Sequence, residues 1–386
     1  MPDTLVDTEI LRAAVQLACR APSLHNSQPW QWVAEGVGLH LYVDRNRILP
    51  STDKAGREAH IGCGAVLDHL CVAMAAAGWT TNVDRFPDSN NPGHLASLDF
   101  SPMGRVTDQH RHRANAIRHR RTDRLPFDTP RNWASFEPLL RNAVDAKAVH
   151  LDVIAEERRS ELARASRLTE SLRLYDSSYH TELSWWTGHF ENSDGIPRSS
   201  LLSAAENDGV DVGRTFPVSA HNERPVGIGQ DQSTVLVLST DEDTRDDALR
   251  CGEALSAVLL ECTLAGMATC TLSHLTELQS SRHLIGTLDR TDSYAAASDP
   301  RRRSPCRRRG TPRDTAAASA GCSEFSPRYA WLRDEQGCRP IMTSGHTRAV
   351  DEGADELRRL WRRRRAPTRT QSKGLDPSSS RRKISH

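Results

Sequence analysis

The chain lacks most of the features that mark easily recognised classes of protein. It has no phosphate-cradling P-loop, and GVGIGQ (Gly227, Gly229) lacks the third glycine and following helix of a dinucleotide fingerprint. Its nine cysteines form no Cys-x-x-Cys pair, which gives neither a zinc ribbon nor a disulfide framework and predicts reduced thiols in a cytoplasm. Cys63, Cys71, Cys251 and Cys262 instead fall on apolar helical patterns, as core residues do. The opening MPDTLVDTEI has no basic or apolar stretch of a secretory signal. The most apolar run, CVAMAAAGW (Cys71–Trp79), is too short to span a bilayer, so no membrane partner is expected. His110-x-His112 sits in an exposed, arginine-rich run rather than a metal-ligand frame, and no metal is expected.

A net charge of +1 conceals two unlike regions. Residues 291–386 carry 22 Lys plus Arg against 11 Asp plus Glu, whereas residues 1–290 carry 29 against 39. The body reads as an ordinary, mildly acidic globular protein. The last 96 residues, with RRRSPCRRR (Arg301–Arg309) and WRRRR (Trp361–Arg365), show no alternating apolar run. Such a tail cannot bury enough surface to offset its ordering entropy and is expected to be disordered. It reads either as a basic arm or as a strand-bearing segment translated in a shifted frame. Aromatics make up 5% of the chain, and the tail is poor in the stacking platforms of single-strand binders, so nucleic acid is not expected as a partner.

What is present concentrates in a few places. RAPSLHNSQPW (Arg20–Trp30) follows a helix predicted from Thr8, whose Leu11, Ala14, Val15, Ala18 and Cys19 form one apolar stripe. Pro22 stops that helix. The polar loop beyond it can be an ordinary turn in which Ser and Asn bond their own backbone. Two longer segments match in register: CGAVLDHLCVAMAAAGW from Cys63 and CGEALSAVLLECTLAGM from Cys251. Each opens Cys-Gly, runs as a broadly apolar helix and ends at Ala-Gly, a natural helix stop. Strand patterns at Leu39–Val43, Leu95–Phe100, His150–Ile154 and Thr234–Ser239 accompany them. This mixture without strict alternation predicts an α+β fold of two fused half-domains, 1–140 and 141–290, followed by the tail at 291–386.

RRTDRLPF (Arg120–Phe127) is the second concentration of chemistry. In an extended chain Arg120, Thr122 and Arg124 share a face, and two guanidiniums with a hydroxyl suit a phosphate. A solvated basic linker would look the same. Together the two motifs resemble the FMN-dependent nitroreductase superfamily. In that superfamily an arginine-rich segment of this kind holds the FMN phosphate, and a Pro-Ser…Asn-x-Gln-Pro-Trp loop lines the flavin. The match places Pro22, Ser23, Asn26, Gln28, Pro29 and Trp30 in the loop, with His25 in its variable part. It places Arg120, Thr122 and Arg124 in the phosphate motif, with Thr where the superfamily has Ser. The stretches Ser171–Gly188, Asp194–Pro197 and Met267–Glu277 look like those of its mycobacterial Acg-type subgroup of fused pseudo-dimers.

The resemblance covers roughly residues 1–288 and implies a nitroreductase-like pseudo-dimer with one FMN per chain. It implies NAD(P)H as reductant, a small electrophile as electron acceptor, and a monomer or loose dimer in solution. It places Ser273 and His274 near flavin N5. No proton donor can be named from the sequence, although His25 and His274 are candidates. The alternative function is non-catalytic storage or sequestration of FMN.

Overall fold

The computed structural model describes residues 6–36, 38–188, 195–217 and 229–289, together with the backbone of two strands at 328–334 and 337–342. The first helix, α1 (Thr8–Ala18), is capped by the Asp7 carboxylate, which accepts from Glu9 N, so the cap falls one residue before the expected Thr8. Strands β1 (Trp30–Glu35) and β2 (Gly38–Val43) form a hairpin. The long helix α2 (Arg57–Ala76) leads into β3 (Trp79–Arg85) and β4 (His94–Pro102). Helices α3 (Asp108–His119) and α4 (Trp133–Ala143) precede β5 (His150–Val153). Then come α5 (Arg159–Arg173), α6 (Ser177–Trp186), α7 (Ala204–Asp208), β6 (Leu236–Ser239), α8 (Arg245–Leu264), α9 (His274–Glu277) and α10 (Gln279–Asp289).

The fold is α+β, as expected. One antiparallel sheet runs β3-β4-β2-β1-β7-β8, where β7 is Arg328–Asp334 and β8 is Gly337–Met342; a second pairs β5 with β6. Two strands therefore lie in a region expected to have none. RYAWLRD has only four uncharged residues between two arginines, too short an alternation to stand out. Its backbone pairs with β1, Trp32 opposite Trp331, and so covers an edge that would otherwise be open. The remainder of the expected tail, 291–327 and 343–386, lies outside the described residues.

Trp32, Leu39, Leu41, Leu95 and Leu98 of the large sheet are buried with Val15 and Ala18 of α1 and with Val66, Leu67, Leu70 and Met74 of α2. Phe136, Leu140 and Leu151 are buried with Ala254, Val258 and Cys262 of α8. By length and apolarity α2 could cross a membrane, unlike the shorter run read from sequence, but 67% of its apolar window is packed inside the protein. Both repeat helices end as expected, at Gly78 (φ 91°) and Gly266 (φ 72°) in left-handed conformation.

α2 and α8 pack against each other through the repeat itself. A Cβ built on Gly64 would overlap the carbonyl oxygen of Leu249, and one on Gly252 would overlap that of Ile61. Ile61 and Leu249 are themselves equivalent in the repeat, so the contact is reciprocal. Further along, Ser256 Oγ donates to its repeat equivalent Asp68 at 2.5 Å, and Val72 and Leu260, again equivalent, share one apolar cluster. Only glycine permits this approach. Gly64→Ala and Gly252→Ala are each expected to destabilise the protein by about 1–3 kcal/mol or more, as overpacked cores do. Exposed Gly104, with open space around it, should tolerate alanine within about 0.5 kcal/mol. Urea denaturation of the three variants checks this; equal effects at Gly64 and Gly104 would contradict the packing argument.

Candidate functional site

The loop after α1 is tightly and unusually folded. His25 (φ 50°), Asn26 (φ 56°) and Gln28 (φ 51°) all take left-handed backbone, a conformation that costs most side chains energy and persists only where surroundings impose it. Those surroundings can be named. Ser23 Oγ accepts from Gln28 N at 2.9 Å, and Arg47 donates to Ser27 O at 2.8 Å. Asn26 Nδ2 donates to Gly195 O at 3.0 Å, and Cys63 Sγ donates to Pro29 O at 3.3 Å. Gly62 of α2 lets the loop lie close, since a Cβ there would meet Ser23 Cβ at 3.3 Å. Ser23 thus serves the loop's own shape, in keeping with the ordinary-turn reading, whereas Asn26 ties the loop to Gly195, far along the chain. Pro22 ends the approach from α1, and Pro29 leads directly into Trp30, buried at the start of β1.

His25 does not fit that reading. It is buried, and neither ring nitrogen has a hydrogen-bond partner among the described residues; the same holds for Ser27 Oγ. Burial, with the charges of Arg214 and Arg124, pushes the His25 pKa well below its ordinary value. Its ring meets Phe216 edge-on, with centroids 6.1 Å apart, and the Arg124 guanidinium lies over the same Phe216 ring at 5.1 Å. Arg124 also donates to Ser200 O at 3.4 Å.

Arg120 has different company. It caps the end of α3 and donates to Arg20 O at 3.1 Å, while Arg20 donates to Arg118 O at 3.2 Å. Arg120 Nε is buried without a partner among the described residues. Burial, followed by the neighbouring charges of Arg121 and Arg20, lowers the Arg120 pKa to about 10. No described carboxylate pairs with Arg20, Arg120 or Arg121. Between the two arginines, Thr122 bridges Thr269 in parallel and Asp123 N donates to Thr269 O at 2.9 Å. The segment is therefore extended, as alternation required, and is held against the chain leaving α8.

That chain carries Ser273 and His274. His274 Nε2 lies 2.8 Å from Ser166 Oγ of α5, and burial, then Arg214, pushes its pKa down to about 3. Ser273 Oγ accepts from Arg214 at 3.3 Å and donates to Glu277 at 3.2 Å. Buried Arg214 also bonds Glu277 and donates to the Tyr179 hydroxyl at 2.7 Å. Sequence reasoning missed Arg214 and Glu277, which lie far apart in the chain with no spacing signal. Glu182 of α6 accepts from Ser51 N and Thr52 N at 3.0 and 2.9 Å, latching α6 to the segment before α2. His110 is taken up in a capping box with Thr107. Among the described residues no group of three or more His, Cys, Asp or Glu side chains is arranged to hold a metal.

The chain is 62% identical over 288 residues to "Putative NAD(P)H nitroreductase acg" of Mycobacterium tuberculosis, covering 75% of this chain and 87% of that protein. It belongs to the Acg-type nitroreductase family. "Uncharacterized protein Rv3127" of the same organism is 55% identical over 73% of this chain and 83% of its own length. "Putative NAD(P)H nitroreductase Rv3131" is 32% identical over 76% and 83% respectively. A crystal structure of a nitroreductase family protein from Streptococcus pneumoniae overlaps 27% of this chain and 84% of its own at TM-score 0.23 and 17% identity. No protein-family model matches the chain.

In this nitroreductase family member, Glu58 of α2 ties the first repeat helix to the segment after the second. Thr276 donates to it at 3.0 Å. Burial, only partly offset by Arg57, pushes its pKa up to about 7. The folded chain thus binds this proton more tightly than the unfolded chain, and the associated stability is lost as pH rises through about 7. Glu58→Gln, which mimics the protonated form, is expected to leave stability nearly unchanged at pH 4, below the ordinary carboxyl pKa, where folded and unfolded chains both hold the proton. At pH 8.5 it should raise stability by up to about 3 kcal/mol, from a shift of about two and a half pKa units. Denaturation at both pH values checks this, and a gain that is the same at both would contradict it.

Proposed function

We propose that the chain is an FMN-dependent oxidoreductase that uses NAD(P)H to reduce a small electrophile. The observation that carries the reading is the uncompensated positive charge at Arg20, Arg120 and Arg121 beside a strained loop with buried, unbonded polar groups. Arg20 and Arg121 are exposed and Arg120 is half-buried, so the cluster is open to a ligand, and a phosphate dianion is the partner that guanidiniums of this kind bind best. The residues present therefore fit FMN. Once bound, FMN would supply the two-electron chemistry between nicotinamide and acceptor, with the protein contributing position and electrostatics.

The surroundings of the two motif arginines support a division of roles. Arg120, with Arg20 and Arg121, would hold the phosphate, and Thr122 would add a hydroxyl. In an extended segment Arg124 lies about 13 Å further along, beside His25 and Phe216, where it would meet the polar edge of the ring. Pro22, Ser23, Asn26, Gln28, Pro29 and Trp30 would shape that side of the flavin. Ser273 and His274, fixed by Arg214 and Ser166, would close the site near the reacting edge. His25 is kept neutral by burial, which suits a hydrogen-bonding role better than acid catalysis at neutral pH. The reciprocal contact between α2 and α8 has the form of an isologous two-fold interface, and supports reading the body as two fused halves with one site between them.

Arg120→Ala is expected to weaken FMN by about 1.5–3 kcal/mol, roughly ten- to a hundred-fold, while leaving riboflavin unchanged. Arg124→Ala should weaken both ligands alike. Quenching of flavin fluorescence by the apoprotein measures all four affinities. Equal losses of FMN and riboflavin in Arg120→Ala would mean that this arginine holds no phosphate. The flavin-loaded chain is also expected to oxidise NAD(P)H in air, and failure with both nucleotides would favour flavin storage.

A further inference from the structure

Away from the flavin-facing residues, the large sheet carries a second concentration of donor atoms. Leu39, Leu41, Leu95 and Leu98 point into the core. His40 and Ser97, paired across β2 and β4, alternate to the other face of the sheet together with Tyr42. His94 joins them where the register shifts between Leu41 and Tyr42. His40 Nδ1 lies 3.2 Å from His94 Nε2 and 2.9 Å from Ser97 Oγ, and Ser97 Oγ lies 3.2 Å from His94 Nε2. Two imidazole nitrogens and a hydroxyl thus form a nearly equilateral triangle.

We infer that this triangle is a binding site for a borderline-soft divalent cation such as zinc or nickel, with His40 Nδ1 and His94 Nε2 as ligands and Ser97 Oγ at a third position. The spacing is the one a metal requires. Tetrahedral zinc with bonds of about 2.0–2.1 Å to nitrogen sets neighbouring ligand atoms about 3.3 Å apart. Imidazole suits such metals, and water can complete the shell. His94 is also held as metal-ligating histidines commonly are. Its ring hydrogen-bonds the backbone of Ala96 and stacks on Tyr42 with centroids 4.4 Å apart and planes at 19°. Such outer contacts fix ring orientation before a ligand arrives. Burial, then the neighbouring His40, lowers the His94 pKa, against smaller opposing effects of Ala96, Asp88 and Asp84, so the ring is neutral as a metal ligand must be. His40 and Ser97 are only partly buried, so a hydrated cation can reach them. In the unliganded triangle the Ser97 hydroxyl keeps its own proton and His40 Nδ1 can carry a second; cation binding would place the His40 proton on Nε2, leaving Nδ1 as a ligand.

The test titrates nickel chloride, and separately zinc chloride, into the full chain by calorimetry. One equivalent of a histidine-dependent site is expected. His40→Asn and His94→Gln should each weaken it by at least about ten-fold, the scale that even outer partners of a metal ligand carry. Because cysteines also bind these metals, binding that persists unchanged in both variants belongs elsewhere and overturns the proposal, as does no binding. A second measurement needs no variant. Nickel is expected to protect His40 and His94 of the native chain from diethylpyrocarbonate, read by mass spectrometry. Equal labelling with and without nickel would leave the triangle as a hydrogen-bonded tie between strands and nothing more.

Discussion

The crossing of α2 and α8 at Gly64 and Gly252 is the constraint on which the rest of the protein depends. With no side chain at either position, the two helix backbones approach so closely that each glycine lies against a carbonyl of the other helix. The loop after α1 and the arginine segment are both tied, directly or through the chain after α8, to these helices. α2 supports the loop through Gly62 and Cys63 at its first turns, and it reaches the segment after α8 through Glu58 and Thr276. That segment in turn holds Thr122 and Asp123. A small change in the helix crossing would therefore move the loop and the arginine segment relative to each other.

Electrostatics separates structure from function within this frame. Arg159 is matched by Asp211 and Asp231, Arg85 by Glu253, and Arg214 by Glu277. These are completed pairs, and they tie elements together. Among the described residues, Arg20, Arg120 and Arg121 bond backbone carbonyls and pair with no carboxylate, while His25 has no hydrogen-bond partner. These incomplete groups, cationic in one place and neutral in the other, are what the proposed flavin site rests on.

Much of this was legible in the sequence because the relevant signals are local. Gly78 and Gly266 end their helices in left-handed conformation, as two Ala-Gly stops implied. β2, β4 and β5 appear where apolar residues recur at every second position, and β6 where a short continuous apolar run was read. β3 escaped because its inward series, Trp79, Thr81, Val83 and Arg85, is half polar and so shows no clear apolar alternation, and β7 because arginines flank it. The loop and the arginine segment were found by their composition and by resemblance. Their surroundings were not. Arg214, Phe216 and Glu277 come to the site from scattered positions through packing, and no spacing announces them. The division between Arg120 and Arg124 is likewise invisible in a motif that places them on one face.

The central claim is that the body of this chain holds one flavin nucleotide in a site completed by its own two halves. The measurement that tests it most directly is the molar ratio of heat-released FMN to protein in the purified chain, saturated with FMN and freed of excess. The account predicts a ratio near one, with FMN rather than riboflavin or FAD retained. A ratio near two, or a well-folded chain that retains no flavin, would contradict it.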